Sequence, residues 1–315
     1  MMLAWMCVIG VAEAGGGPWV LGPGDQTIYV GMDVQRLTQL GIQAGPDPAD
    51  YTTIDVGEGL SSFGVKAIAN YGLLSRVELE LEVPWYRVSA NRVDVEPCLA
   101  LGEGSCKTTQ SIGLLRGQAK WLVLDELQGM PLSVSLGGTM RYGGFTAPAR
   151  SRITNVGEGT TDLGPSIHLG RTGGLGKGGY WSAYTELYWL YRFPSTDSYQ
   201  GSDLGPDAPV SAPMPEWVLN GEALFSPDAS VAFGPSFSGL YRNGLDWYEL
   251  NLEDPDRLAA LGVYNMRVGG KLVIRNERGV AFSTGFLRTV VSYNNPSDAW
   301  LVSAGLSVPT GLGRP

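Results

Sequence analysis

The sequence predicts an all-β fold: a transmembrane, antiparallel, up-and-down β-barrel of about twelve strands, with short turns at one end and long loops at the other. Three observations carry that expectation. Apolar and polar residues alternate with period two through segment after segment, as in a strand with one apolar and one polar face. The connections between those segments are short and long by turns. The polar faces hold more charge than a dry core can bury, so the apolar faces are the ones turned outward.

Composition narrows the alternatives. The 315 residues include 45 glycines and 20 prolines, and only 17% are charged. No run of about 18 apolar residues offers a membrane-crossing helix. The net charge of −9 excludes nucleic acid as a partner, because that surface needs a basic footprint. A single histidine gives little material for a metal centre, and no cofactor is expected.

Taken from the N-terminus, residues 1–11 form an apolar run that ends in Ala12-Glu13-Ala14, a small-residue A-x-A cleavage pattern. Residues 1–14 are therefore expected to be an export leader and residues 15–315 a single barrel. No Lys or Arg precedes the run, which departs from the usual leader. Cys98 and Cys106 would be the two cysteines left after removal, and an exported chain predicts a disulfide between them.

The strands follow. Ile28, Val30, Met32 and Val34 alternate with Tyr29, Gly31, Asp33 and Gln35. Phe63, Val65, Ala67, Ala69 and Tyr71 oppose Ser62, Gly64, Lys66 and Asn70. Val77, Leu79, Leu81, Val83 and Trp85 oppose Glu78, Glu80 and Glu82, a pattern no helix could sort onto two faces. Leu115, Ala119, Trp121 and Val123 oppose Arg116, Gln118 and Lys120; Leu136, Met140 and Tyr142 oppose Ser135, Thr139 and Arg141. A strand through Leu163, Ile167 and Leu169 precedes one in which Trp181, Leu187, Trp189 and Tyr191 oppose Tyr184, Glu186, Tyr188 and Arg192. Trp217 to Phe225 and Val231 to Tyr241 supply two more. Tyr264, Met266, Val268, Leu272 and Ile274 then oppose Asn265, Arg267 and Lys271, and the last two segments lie near 280–290 and 300–308.

Short turns are expected at 72–75, 125–130, 226–229 and 276–279, with a slightly longer one at 172–178. Long loops are expected near 40–58, 90–111, 143–160, 193–215 and 243–262. Aromatics such as Tyr71, Trp85, Tyr142, Trp217, Tyr241 and Trp300 sit near the ends of the apolar rows, where interfacial girdles belong. The interior is expected to be lined, and at one level narrowed, by Glu78, Glu80, Glu82, Arg116, Lys120, Arg141, Glu186, Arg267 and Lys271. Pro165 and Pro235 fit less well inside strands, and Arg288 falls on an apolar face.

Two short motifs resemble a known family. The segment Glu158-Gly159-Thr160-Thr161-Asp162-Leu163-Gly164-Pro165-Ser166 resembles the strand opening of outer-membrane barrels associated with the MetA pathway of phenol degradation. The hairpin from Tyr71 to Leu79 is similar to that family's tyrosine-ended strand, tight turn and acidic strand. Gly164-Pro165-Ser166 recurs as Gly234-Pro235-Ser236. The resemblance implies a Gram-negative outer-membrane porin or transporter for passive uptake of small, in part hydrophobic, molecules. Its surroundings would be outer-membrane lipid and lipopolysaccharide.

Other motifs have plainer readings. Gly174-Leu175-Gly176-Lys177-Gly178-Gly179 matches a dinucleotide fingerprint, but a strand rather than a helix follows it. Ser166 and His168 suggest a hydrolase, yet Cβ atoms at i and i+2 lie about 6–7 Å apart, so the chain is not read as an enzyme. Acidic residues at Asp47, Asp50, Asp55 and Glu58 read as a hydrated loop surface rather than a calcium site. Two functions remain in view: a channel for small polar, amphipathic or hydrophobic solutes, and a structural barrel of a cell-envelope, secretion or motility complex with a plugged lumen. The second would have envelope-complex proteins as partners.

Overall fold

In the computed structural model of the chain, the described residues are 17–90, 108–143, 160–176, 179–193, 214–244 and 262–310. Residues 1–14, expected to be a leader, and both Cys98 and Cys106, expected to form a disulfide, lie outside them. Strands β1 (Gln26–Gln43), β2 (Tyr51–Leu74), β3 (Val77–Ala90), β4 (Thr109–Ile112), β5 (Leu115–Leu124), β6 (Ser133–Tyr142) and β7 (Thr161–Gly176) form the first half. Strands β8 (Gly179–Phe193), β9 (Glu216–Ser226), β10 (Val231–Arg242), β11 (Val263–Arg275), β12 (Ala281–Tyr293) and β13 (Asn295–Pro309) form the second. β4 and β5 both pair with β3 and are two halves of one crossing, interrupted at residues 113–114. Each neighbour pairs antiparallel, and β1 closes on β13, giving a twelve-strand barrel without an open edge. Thr27 pairs with Pro309, so β1 begins and β13 ends at the short-turn rim, the periplasmic end of an outer-membrane barrel, whose long loops are extracellular.

The orientation is inside-polar. Along β1, Val30 and Met32 are 51% and 52% exposed, whereas Asp33 and Gln35 are 2% and 0%. Exposed Leu81, Leu136, Leu163, Phe286 and Leu306 continue the outer surface around the ring. Such a belt is stable only in contact with lipid. No described helix could cross a membrane; the strands do so.

Several expectations needed correction. The long loop at 40–58 is mostly strand: β1 runs to Gln43 and β2 starts at Tyr51, so the hairpin extends as a paired ribbon. Hydrogen bonds across that ribbon satisfy backbone groups that a loop would leave to water. In the same way β7 continues to Gly176, so residues 172–176 of the expected turn are strand. The fingerprint glycines Gly174, Gly176 and Gly179 therefore stand on paired strands, with Gly176 at φ +76°. Val123 was placed on the outer face, but a register shift between Leu122 and Leu124 moves that place to Leu124, 38% exposed. A shift opposite Met266 and Arg267 accompanies Arg288, which sits outside and meets Asp298 at 3.3 Å.

The two prolines are accommodated by the same device. Between β7 and β8 the ladder jumps from Leu163–Tyr191 to Ser166–Tyr188. Between β10 and β9 it jumps from Phe233–Phe225 to Ser236–Glu222. Each Gly-Pro pair thus occupies a gap in which no N–H is required. In the β9–β10 turn, Asp228 accepts from Ser230 N at 2.7 Å, Ser230 Oγ at 2.6 Å and Val231 N at 3.1 Å. The Ser230 hydroxyl and amide hold this exposed carboxyl below the usual carboxylate range.

Candidate functional site: the lumen

The period-two pleat that turns Val, Leu and Phe outward also aims every intervening side chain into the barrel. On β3 this lines up Glu78, Glu80 and Glu82. Facing them on β5, Arg116 Nη2 lies 2.6 Å from Glu80 and 2.8 Å from Glu82, and Lys120 Nζ is 3.1 Å from Glu78. The ladder explains the matching, since Glu82 pairs with Arg116 and Glu78 with Lys120 across the strands.

A second group spans several strands. Arg141 on β6 meets Asp162 on β7 at 2.7 Å and Glu216 on β9 at 2.6 Å. Glu216 also receives Arg242 from β10 at 2.6 Å, while Arg192 Nε on β8 lies 3.5 Å from Asp162. The contact from β6 to β9 skips two intervening strands, so it is a chord inside the ring rather than a neighbour contact. Lys271 on β11 meets Glu222 on β9 at 2.9 Å. Arg267 is buried on β11 at 3% exposure. Elsewhere Lys66 meets Asp33 at 3.4 Å.

A third group surrounds the histidine. His168 Nε2 is 3.1 Å from Ser166 Oγ, and Nδ1 is 3.3 Å from Glu186 Oε1. The spacing objection to contact between Ser166 and His168 is thus overturned, because both side chains lean along the same strand. The trio nevertheless forms a brace. The Gln118 amide donates at 3.0 Å to His168 Nε2 and lies 3.1 Å from Ser166 Oγ. Glu186 is also occupied by the Tyr188 hydroxyl at 2.9 Å. Ser166 and His168 are 5% and 1% exposed, packed into the hydrogen-bonded interior of the barrel. Among the described residues, no cluster suited to a metal ion occurs.

One further component of the interior was not anticipated. Residues 17–25 enter the barrel from the short-turn rim. Gly17 N donates to Glu186 at 2.8 Å, and Lys120 Nζ donates to Gly17 O at 3.1 Å. Ser135 Oγ donates to Pro18 O. Trp19 Nε1 donates to Glu126 at 3.1 Å, its ring stands edge-on to Tyr184, and Leu21 N donates to Glu78 at 2.8 Å. This segment has no periodicity to read; a lone tryptophan between glycines and prolines was the only signal. Asp162, Glu216, Glu222 and Arg242 were also passed over as lining residues, although their alternation with outward apolar neighbours marks them.

The closed ring, outward apolar belt and charged interior define a transmembrane β-barrel of the outer-membrane type. Solved structures share that fold. An outer-membrane channel of the COG4313 group from Pseudomonas putida F1 superimposes with a TM-score of 0.60 at 11% identity, over 95% of this chain and 100% of that one. The NanC porin gives 0.44 at 11% identity, over 88% and 98%. The β domain of the Bordetella autotransporter BrkA gives 0.44 at 10% identity, over 90% and 99%. No protein-family model matches the sequence, and no curated protein matches it.

Proposed function

We propose that the barrel is a passive channel for small polar or amphipathic solutes, narrowed by the ion pairs of its interior. One observation carries this reading. Arg116, Arg141 and Glu82 retain 23%, 14% and 13% side-chain exposure, while Glu78, Lys120, Asp162, Glu216 and Arg242 retain 4% or less. The exposed three lie side by side, Glu82 opposite Arg116 and Arg116 opposite Arg141, and this solvent-accessible level of the interior is where the proposed solute path would pass. Lining that path with fixed charges of both signs favours solutes that exchange hydration for polar contacts. The resemblance to the MetA-associated barrels supports small hydrophobic molecules as further candidates.

Planar-bilayer recording tests it. Replacing Glu80 and Glu82 with Gln leaves Arg116 facing the path without carboxylates, so selectivity should move towards anions with the barrel still folded. A conducting barrel with unchanged selectivity would remove this row from the constriction.

A second reading is favoured by the chord from Arg141 to Glu216 and by the segment inside the rim: a scaffold barrel whose lumen stays shut. Persistent electrical silence of the folded chain and of its Glu80/Glu82 variant would support it.

A further inference from the structure

We infer that the outer face of β12, β13, β1, β2 and β3 binds one molecule of the phosphorylated glycolipid of the outer leaflet, held through its phosphates by Arg36, Arg87 and Arg288. The ladder places these residues together. Arg288 pairs with Trp300, Trp300 with Arg36, and Arg36 with Ser61. Ser61 pairs with Ser89, and Arg87 stands two residues from Ser89 on the same face. Four strand spacings separate the ends of this arc, about 19 Å along the wall. All three arginines are exposed on the lipid-facing side.

Height is the second observation. On β1 the outward row reads Ile28, Val30, Met32 and Val34 before Arg36, and on β3 Leu79, Leu81 and Val83 precede Trp85 and Arg87. From Ile28 to Arg36 the strand rises about 26 Å, or about 20 Å across the membrane at a tilt of about 40°. That is most of an apolar belt about 25 Å tall, so these guanidinium groups stand near the extracellular headgroups. Arg288 lies deeper, after Phe286, and its guanidinium turns toward the loops. It reaches Asp298 at 3.3 Å, two residues nearer the loops than its ladder partner Trp300.

The cations are confined to this arc. From β6 to β10 the corresponding outward positions are Tyr142, Leu163, Tyr191, Trp217 and Tyr241, which are 40–53% exposed and uncharged. An aromatic girdle suits any lipid, whereas a one-sided group of arginines calls for a polyanion. In the outer leaflet that polyanion is the glycolipid, whose sugar phosphates sit above several acyl chains. Guanidinium groups hold phosphates by two-point contacts. The Arg288–Asp298 pair is 66% and 43% exposed, so a phosphate can exchange for the carboxylate. Among the described residues Arg87 has no ion pair. Below the arginines, Phe63 and Trp85 meet edge-on at 6.4 Å, and Val34, Val302 and Phe286 form an apolar floor for acyl chains. Above them Tyr51 stacks on Tyr293 and donates to Ser292 O at 2.9 Å, fastening the β1–β2 ribbon where the sugars would lie. The site depends on the orientation of the barrel and not on whether its lumen conducts.

Titrating the folded full chain in a neutral detergent with diphosphoryl lipid A, read by native mass spectrometry, tests it. One molecule should bind. Arg87→Gln with Arg288→Gln should weaken binding at least about tenfold, since each arginine at an anionic lipid surface contributes about fivefold. Arg171→Gln with Arg278→Gln removes the same charge at the short-turn rim and should leave binding as in the parent. Monophosphoryl lipid A should bind the parent less tightly, and phosphatidylglycerol at equal concentration should not displace the diphosphoryl form. The monophosphoryl comparison changes only the lipid, so it decides the matter if heat-modifiable mobility shows the arc variant unfolded. Equal binding by parent and arc variant, an equal loss in the rim variant, or equal affinity for both lipid A forms would overturn the site. Displacement by phosphatidylglycerol would give the arc to any anionic lipid and overturn the glycolipid as its occupant. A parent that binds no lipid would overturn the inference and leave the arc to a protein neighbour.

Discussion

Glu216 carries two guanidinium groups, Arg141 from three strands away and Arg242 from the adjacent strand, and is itself 1% exposed. Breaking a buried ion pair by removing one partner costs about 3–5 kcal/mol, because the remaining charge keeps its desolvation cost without its counterion. Glu216→Gln should therefore lower barrel stability by about 3 kcal/mol in a urea titration read by heat-modifiable gel mobility. Arg288 and Asp298 form the contrasting pair, 66% and 43% exposed on the outside. Arg288→Ala should cost about 0–1 kcal/mol. Equal effects of the two substitutions would mean that the interior around Glu216 is as well hydrated as the surface. Charge at a given position was legible in the sequence, but the partner was not. Alternation says that Arg141 points inward; only the curvature of the closed ring brings Glu216 within reach.

The repeated Gly-Pro-Ser tripeptide shows how a sequence repeat becomes a structural one. In both copies the proline occupies a gap in one ladder, and a Cβ on the glycine before it would run into the opposing backbone, Gly164 against Trp189 O and Gly234 against Ala223 O. A side chain has no flexible neighbour to displace there. Gly164→Ala should thus be destabilising by about 1–3 kcal/mol, the usual cost of forcing extra volume into a packed site. Gly138, on the adjacent strand, has nothing within 4 Å of where its Cβ would stand, so Gly138→Ala should be nearly neutral in the same titration. If both alanines are tolerated, the ladder gap is wide enough to absorb a methyl group and is not a fixed feature. Strand existence and facing were readable from period two at nearly every crossing. Strand ends were not, because the β1–β2 ribbon continues past the membrane where alternation loses its apolar member. The bulge at Val123 was likewise hidden, since Leu122, Val123 and Leu124 are all apolar and any of them could face the lipid.

For the whole molecule, the sorting of side chains is opposite to that of a water-soluble barrel, and this difference can be measured. Met32 is 52% exposed on the outside of β1, six residues beyond that strand's start at the periplasmic rim, beside Val65 and Ala304 in the neighbouring ladders. Lipid chains surround it there, and an arginine at that depth must drag water or headgroups inward. The expected cost is about 2–4 kcal/mol near the midplane of a barrel's lipid face. Leu127 is 85% exposed, but it lies in the 3₁₀ turn Glu126–Gln128 between β5 and β6, at the short-turn rim. An arginine there meets water and should change stability by less than about 1 kcal/mol. The comparison uses two exposed apolar residues, so exposure alone predicts equal effects, whereas a membrane belt predicts unequal ones. Folding titrations in lipid vesicles should show Met32→Arg strongly destabilised and Leu127→Arg close to the parent. Thinner bilayers should relieve the first by shortening the distance to the headgroups and leave the second unchanged. Should both variants fold equally well in vesicles, the outer face of β1 would not contact lipid, and the orientation of the barrel would have to be reconsidered.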